Sequence, residues 1–90
     1  MPFEFDPNKS VANHARHGID FYEAQNLWLD PKAIIEPAKN IKGEERFRLT
    51  AYHRGVFWSA IYTIRENNIR IISVRRARED EKERYENYNG

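Results

Sequence analysis

The 90-residue sequence contains no cysteine, only four glycines and a single methionine. Without cysteine it has no disulfide framework, no thiolate metal site and no cysteine nucleophile, which is compatible with a reducing compartment. The glycines do not follow a phosphate-cradling pattern, and no nucleophile elbow is present. These absences remove the support for most enzyme classes.

Long apolar runs are also missing. The longest mostly apolar run, residues 56–62, is far shorter than the roughly 20 residues that a membrane-spanning helix needs. The amino terminus lacks the basic and apolar regions of a signal peptide. We therefore expect a cytoplasmic protein with no membrane partner, folded as one domain over residues 1–90.

Net charge is small, at +1, but the charges are unevenly distributed. Residues 46–78 contain eight arginines and no lysine, against Glu66 alone, whereas residues 1–45 and 79–90 each carry −3. Because the planar guanidinium group binds phosphate bidentately, this arginine block favours a partner with a phosphodiester backbone. The alternative is that the arginines line a solvated face and pair with the acidic ends of the chain.

Capping signals predict two helices in the first third of the chain. Asp6 and Pro7 start a helix that runs to about His17, and Gly18 ends it. Asp20 then caps a second helix. Its apolar residues recur at spacings of three and four and predict one buried face: Phe21, Ala24, Leu27 and Trp28.

From Glu44 onward the apolar period changes to two, which predicts strands. The preceding polar stretch, residues 31–43, could hold a short strand, but we interpret it mainly as a connection. The predicted strands of an antiparallel meander are 44–52, 56–64 and 69–74, the second being buried on both faces. Residues 53–55 are predicted to form a hairpin loop, and residues 65–68 the next turn. Residues 3–5 suit an edge strand, and residues 77–88 a charged helix. The fold class is α+β: two N-terminal helices, a meander of three to four strands and a C-terminal helix.

His14 and His17 lie three residues apart on the first predicted helix. This spacing could place two imidazoles on one metal ion, but no third ligand with comparable spacing is present. We therefore expect no metal site and no cofactor. His17, beside Gly18, could instead stabilise the last carbonyls of the helix.

One predicted strand face groups arginines with a phenol. Arg46, Arg48 and Tyr52 share this face, and Arg75 and Arg76 follow where the last strand ends, so several guanidinium groups could converge. Such a surface could hold single-stranded RNA through its phosphates and by base stacking. If the RNA 2′-hydroxyl attacks its own phosphate, the protein need only position the chain, transfer protons and stabilise charge. The alternative is that Tyr52 is an ordinary half-buried sheet residue.

Several motifs with specific spacing run nearly end to end. They are Phe3-Glu4-Phe5-Asp6-Pro7-Asn8-Lys9, Asn13, Arg16-His17-Gly18-Ile19, Phe21 with Glu23-Ala24, Glu44-Glu45-Arg46-Phe47, Arg70 to Ala77, and Glu83-Arg84-Tyr85-Glu86. Together they resemble the BrnT family of toxins. The resemblance implies a RelE-like fold and an endoribonuclease that cleaves RNA and arrests growth as part of a type II toxin–antitoxin system.

The resemblance also implies a partner and site residues. The partner is a BrnA-like ribbon-helix-helix antitoxin, in a heterotetramer or larger complex that represses its own operon and touches operator DNA only through the antitoxin. The expected catalytic residues are His17, Arg46, Arg75 and Arg76, with His17 as acid or base and the arginines neutralising phosphate. Lys9, at a matching family position, is expected to bind RNA together with Arg48, Tyr52 and Arg70 from the strands of the arginine block. The expected antitoxin contacts are Tyr85, also at a matching position, and Tyr88.

Three positions depart from the family pattern. His14 stands where an apolar residue is usual, Phe5 where Trp is usual and Val74 where Ala is usual. Two further interpretations therefore stay open. One is a non-catalytic RNA-binding module, and the other is a degenerate toxin that serves as an antitoxin-binding scaffold in operon autorepression.

Overall fold

A computed structural model describes residues 2–90 of the chain. Its elements in chain order are β1 (Phe3–Glu4), α1 (Pro7–His17), α2 (Phe21–Ala24), a 3₁₀ helix (Gln25–Leu29), β2 (Ile34–Ile41), β3 (Glu44–His53), β4 (Val56–Arg65), β5 (Asn68–Arg76) and α3 (Glu79–Asn89). The strands form one sheet in the order β1-β5-β4-β3-β2, in which only β1 pairs in parallel. The α+β class is confirmed.

The interpretation of residues 31–43 as mainly a connection is wrong. Ile34–Ile41 forms the eight-residue strand β2, antiparallel to β3, so the meander has four strands. β2 lies at the edge of the sheet, where a strand tolerates Pro37, which cannot donate a hydrogen bond. Its side chains are mostly half-buried or exposed, so its sequence lacks the apolar alternation of a core strand.

Two-residue turns join the four strands of the meander. The turns are Lys42-Gly43, Arg54-Gly55 and Glu66-Asn67, and both residues of each turn have positive φ. Positive φ at both positions is the signature of type I′ hairpins, whose twist matches that of the flanking strands. The second and third turns confirm the predicted hairpin positions, although β5 runs on to Arg76.

The N-terminal helices begin and end where capping chemistry predicts. Asp6 accepts a hydrogen bond from the backbone N–H of Asn8, and Gly18 closes α1 with φ 81°. Asp20 caps α2 in the same way. The second helix is shorter than predicted because after Ala24 it tightens into the 3₁₀ helix, yet the predicted apolar face is buried.

The core lies between these helices and one face of the sheet. It combines Phe21, Ala24 and Leu27 with alternate residues of three strands: Leu49, Ala51, Trp58, Ala60, Tyr62, Ile69, Ile71 and Val74. β4 is the central strand of the five-stranded sheet and is buried on both faces over Trp58 to Ala60, although Ile64 near its end is exposed. The opposite face of the sheet is polar, and α3 packs against it.

Candidate functional site

The polar face of the sheet surrounds a single buried carboxylate. Glu81 of α3 is 2% exposed and accepts two hydrogen bonds of 2.8 Å from the guanidinium group of Arg75. The hydroxyl of Ser59 donates a third bond, also of 2.8 Å, and the backbone N–H of Arg78 a fourth. Strands β4 and β5 are therefore hydrogen-bonded to the C-terminal helix here.

This environment controls the ionisation of Glu81. Burial by itself raises the pKa of the carboxyl, but the hydrogen bonds from Arg75, the Arg78 backbone and Ser59 outweigh it and lower the pKa to about 2. Glu81 in turn raises the pKa of the Arg75 guanidinium through the same hydrogen bonds. The pair stays ionised at neutral pH, as a buried charge requires.

Ion pairs continue from Glu81 across the same face. The Nε of Arg48 lies 3.4 Å from Glu81 without forming a hydrogen bond, while its terminal nitrogen lies 3.1 Å from Glu36. The other oxygen of Glu36 accepts a 2.8 Å bond from Arg84 of α3. Charges of alternating sign thus connect β2, β3, β5 and α3.

The predicted arginines do not converge as one cluster. Arg48 and Arg75 meet at Glu81, but Arg46 pairs with Glu44 at 3.2 Å and Arg70 with Glu4 at 2.8 Å. Arg76 projects from the opposite face to Arg75, because successive residues of a strand alternate. Its guanidinium carbon lies 5.9 Å from the ring centroid of Trp58. Much of the arginine block is therefore paired with carboxylates of this chain.

The two tyrosines expected to contact an antitoxin differ in accessibility. Tyr85 is buried, packs edge-on against Phe57, and its hydroxyl donates a 2.9 Å bond to Asp30. Burial and the bond with Asp30 raise the pKa of Tyr85 to about 12. Tyr88, one turn further along α3, is 82% exposed. Tyr52 is 47% exposed and packs on Phe57.

A small basic pocket of about 250 Å³ lies beside α1. Lys9, Arg16 and His17 line it together with Ile72 and Ser73 of β5. Within residues 2–90, no carboxylate lies within 4 Å of these three basic side chains. Two predicted site residues, Lys9 and His17, are thus brought together on the helical side of the sheet, away from Arg48 and Arg75.

A second cavity, of about 290 Å³, opens where α1, α2 and the β3–β4 hairpin meet. It is lined by His14, Gly18, Ile19, Asp20, Glu23, His53, Arg54, Val56 and Trp58. The Nε2 of His53 is hydrogen-bonded to Glu23, and Arg54 lies 3.7 Å from the same carboxylate. The exposed Arg76 stacks over Trp58, so a predicted phosphate-binding residue adjoins this cavity.

Sequence reasoning missed this cavity because its residues are far apart in the chain. His53 looked like part of a hairpin loop, and Glu23 lies 30 positions away. His14 was singled out only for its spacing from His17 and for its departure from the family pattern. No local motif joins these residues; only the folding of the hairpin onto α2 does so.

Two further properties concern the described part of the chain. Among residues 2–90, no group of three or more His, Asp or Glu side chains is arranged to hold a metal ion. None of the helices in this range has the length and apolar character needed to cross a membrane.

The fold defines a small α+β protein with an arginine-rich sheet. A sequence model of the family described as "Ribonuclease toxin, BrnT, of type II toxin-antitoxin system" matches residues 5–81. The chain therefore belongs to the BrnT family of ribonuclease toxins. Its class implies endoribonuclease activity, an RNA substrate and a cognate antitoxin. No curated protein was found to match it.

Proposed function

We propose that this toxin cleaves single-stranded RNA without a metal ion and acts in the cytoplasm, where the loss of intact RNA arrests growth. The observation that carries this proposal is the unpaired basic surface formed by Lys9, Arg16 and His17, with the exposed Arg76 on the same, helical side of the sheet. Intramolecular attack by the 2′-hydroxyl requires only positioning, proton transfer and charge stabilisation, all of which amino-acid side chains supply.

We assign the first phosphate contacts to these unpaired cations. Arg46, Arg48, Arg70 and Arg75 already hold carboxylates, so RNA binds them only by displacing those partners. An exposed cation that meets a phosphate releases counterions condensed on the RNA and gives up no internal ion pair. Tyr52, half of whose surface is exposed, is available for base stacking.

Cleavage of a defined single-stranded RNA by purified toxin tests this proposal. We expect 2′,3′-cyclic phosphate and 5′-hydroxyl ends, unchanged rates in EDTA, and no cleavage where a 2′-deoxy nucleotide replaces the attacking one. Replacing both Lys9 and Arg16 with Ala should weaken RNA binding at least tenfold and flatten its salt dependence by about 1.4 units of slope for two lost phosphate contacts. Binding without any change in RNA length would instead support a non-catalytic module.

We further propose a ribbon-helix-helix antitoxin of the BrnA type, in a heterotetramer or larger complex that represses its own operon. A groove of about 600 Å³ between the edge strand β2 and α3 suits an antitoxin segment, since it is lined largely by apolar atoms. Its walls include the exposed Ile35 and Tyr88. The antitoxin reaches Tyr85 only when α3 moves, because that side chain is buried against Phe57.

The antitoxin surface is testable by substitution. Tyr88→Ala should weaken antitoxin binding at least tenfold, measured by titration calorimetry, and leave RNA cleavage by the free toxin intact. Tyr22→Ala is the matched control, since Tyr22 is an exposed tyrosine on α2 and does not line the groove. Light scattering of the complex gives its stoichiometry, and operator DNA should shift only when the antitoxin is present. Equal antitoxin affinity of wild type and Tyr88→Ala would remove this groove from the interface.

A further inference from the structure

We infer that the cavity between α1, α2 and the β3–β4 hairpin is the proton-transfer centre for RNA cleavage, with His53 as general base, His14 as general acid and Glu23 as the positioning residue. This inference rests on the proposed RNA cleavage and deepens it. It assigns roles to two histidines and a carboxylate that lie outside the arginine face. The cavity volume, about 290 Å³, accommodates a phosphodiester with its flanking ribose atoms.

The contact between His53 and Glu23 determines which imidazole nitrogen is free. Nε2 of His53 faces the carboxylate oxygen of Glu23, so in the neutral ring this nitrogen carries the hydrogen and donates it. Nδ1 then keeps its lone pair and is the proton acceptor. A carboxylate that orients the ring also stabilises the imidazolium that forms when the base takes a proton.

The surroundings of His53 combine charges of both signs. Glu23 and Asp20 come from the start of α2, but the carboxylate of Asp20 is occupied in capping the backbone N–H of Glu23 at 2.7 Å. Arg54 extends from the hairpin with its guanidinium group mostly in solvent, and Arg76 adjoins the cavity over Trp58. These two cations supply the positive charge that a pentacoordinate phosphorane needs.

His14 lines the same cavity from α1 and is exposed at its mouth. An imidazole can both donate and accept a proton, so His14 can serve as the acid while His53 serves as the base. Within residues 2–90 no hydrogen bond or ion pair to another side chain engages His14. His14 is therefore available to donate a proton to a leaving group.

The reaction balances with these groups alone. His53 Nδ1 takes the proton of the RNA 2′-hydroxyl as the 2′-oxygen forms a bond to phosphorus. The bond from phosphorus to the 5′-oxygen breaks with its electron pair, and that oxygen takes a proton from His14. The products are a 2′,3′-cyclic phosphate and a 5′-hydroxyl, and water or buffer restores the two histidines to their starting states.

The test is steady-state cleavage of a short single-stranded RNA by wild type and single variants between pH 5 and 9. His53→Gln and His14→Gln should each lower kcat at least 100-fold, the usual contribution of one acid or base, with little change in KM. Each should remove one limb of a bell-shaped pH profile of kcat/KM. Glu23→Gln should lower kcat about tenfold, and Glu83→Gln on α3 should leave both constants unchanged.

Two further variants distinguish an effect on the chemical step from effects on RNA binding and on folding. His17→Gln should raise KM and leave kcat intact, because His17 belongs to the basic pocket and not to the cavity. His53→Ala should regain activity with added imidazole, which a merely structural role for His53 does not predict. Far-UV circular dichroism and antitoxin binding confirm that each variant is folded.

The outcomes distinguish this inference from the proposed function. One outcome is that wild type produces the 2′,3′-cyclic phosphate and that the His53→Gln and His14→Gln variants are folded and keep the wild-type kcat. This outcome overturns the inference but leaves the proposed RNA cleavage intact. If folded wild type, free of antitoxin, leaves every RNA intact, both are overturned. A His17→Gln variant that loses kcat while His53→Gln keeps it would place the centre at the basic pocket beside α1.

Discussion

At the scale of single residues, some polar side chains stabilise the fold in ways that their residue types do not predict. Asn13, within one of the motifs of the family, uses its amide to bond the backbone N–H and C=O of Val74 and the C=O of Ile19. β1 pairs only with residues 69 and 70 of β5, so the edge of β5 is otherwise open at this point. Asn13 therefore replaces a neighbouring strand.

Asn13→Ala should lower the free energy of unfolding by about 2–4 kcal/mol, because it leaves several buried backbone groups without partners. Urea denaturation at pH 7 measures the effect. Asn26→Ala is the control, since the amide of Asn26 makes one exposed bond to a helix carbonyl and its loss should cost under about 0.5 kcal/mol. Equal losses for the two variants would contradict the edge-capping role.

The lowered pKa of Glu81 predicts how the free energy of unfolding depends on pH. Its pKa is lowered to about 2 in the folded protein, from 4.5 in a free side chain, so its stabilising contribution is complete above pH 4.5. That contribution declines as the pH falls from 4.5 towards 2, because Glu81 of the unfolded chain takes up a proton in this range while Glu81 of the folded protein stays ionised. The full contribution is roughly 3 kcal/mol.

The measurement is the difference in unfolding free energy between wild type and Glu81→Gln, by urea denaturation at pH 7, 4.5 and 3. We expect the difference to be largest at pH 7 and to shrink at pH 3. Taking the difference removes the contributions of other carboxyls with lowered pKa values. Glu83→Gln should show no such dependence, and a constant difference for Glu81→Gln would argue against the ionised pair.

At the scale of elements, α3 is the clearest case of a helix that its own sequence does not stabilise. Only Glu81 and Tyr85 are buried along its length, so apolar burial contributes little. It is held instead by hydrogen bonds to five places: Arg75 on β5, Ser59 on β4, Glu36 on β2, Asp30 before β2, and the carbonyl of Lys32. The sequence alone left open whether this helix lies on the sheet, and the structure shows that it does.

Tyr85→Phe tests this attachment. The substitution removes the hydroxyl that donates to Asp30 but keeps the ring that packs on Phe57, so α3 should open more readily. We expect backbone amides of α3 to exchange about five to thirty times faster, corresponding to about 1–2 kcal/mol, while amides of α1 do not change. Tyr88→Phe, at an exposed position, should have no effect on either helix.

At the scale of the whole molecule, the acidic ends of the chain neutralise much of the central arginine block. Glu4 from the N-terminal part and Glu81 from the C-terminal part each bind an arginine of β5, and Glu36 binds Arg48 and Arg84. The composition was compatible with two roles for these arginines, namely binding RNA and pairing with carboxylates of the same chain. The structure shows internal pairing on the sheet face and leaves unpaired cations around α1 and near Trp58.

The antitoxin should stabilise the toxin as a whole, because a ligand that binds only the folded state shifts the unfolding equilibrium. We expect a higher melting temperature in the complex, increasing with antitoxin concentration, by differential scanning calorimetry. The melting temperature of the Tyr88→Ala toxin should rise less at the same antitoxin concentration. Equal melting temperatures with and without antitoxin would contradict the expected stabilisation.

The accuracy of the sequence-based expectations follows the range of the interactions involved. The caps of α1, the buried face of α2, the turns and strands β3 to β5 depend on neighbouring residues, and they were predictable. β2 was missed because an edge strand with Pro37 and half-exposed side chains has no clear apolar period. The His53–Glu23 contact was not predictable because no pattern relates residues 30 positions apart.

The sequence by itself determined most of the element types and limits, the uneven charge and membership of a ribonuclease toxin family, since these rest on local chemistry and on motif spacing. Only the tertiary structure decided the partner of each charge. Alternation along β5 sends Arg75 to Glu81 beneath α3 and Arg76 to the opposite face beside the cavity. Which arginines are paired and which are open depends on strand register and helix docking, which are properties of the folded chain.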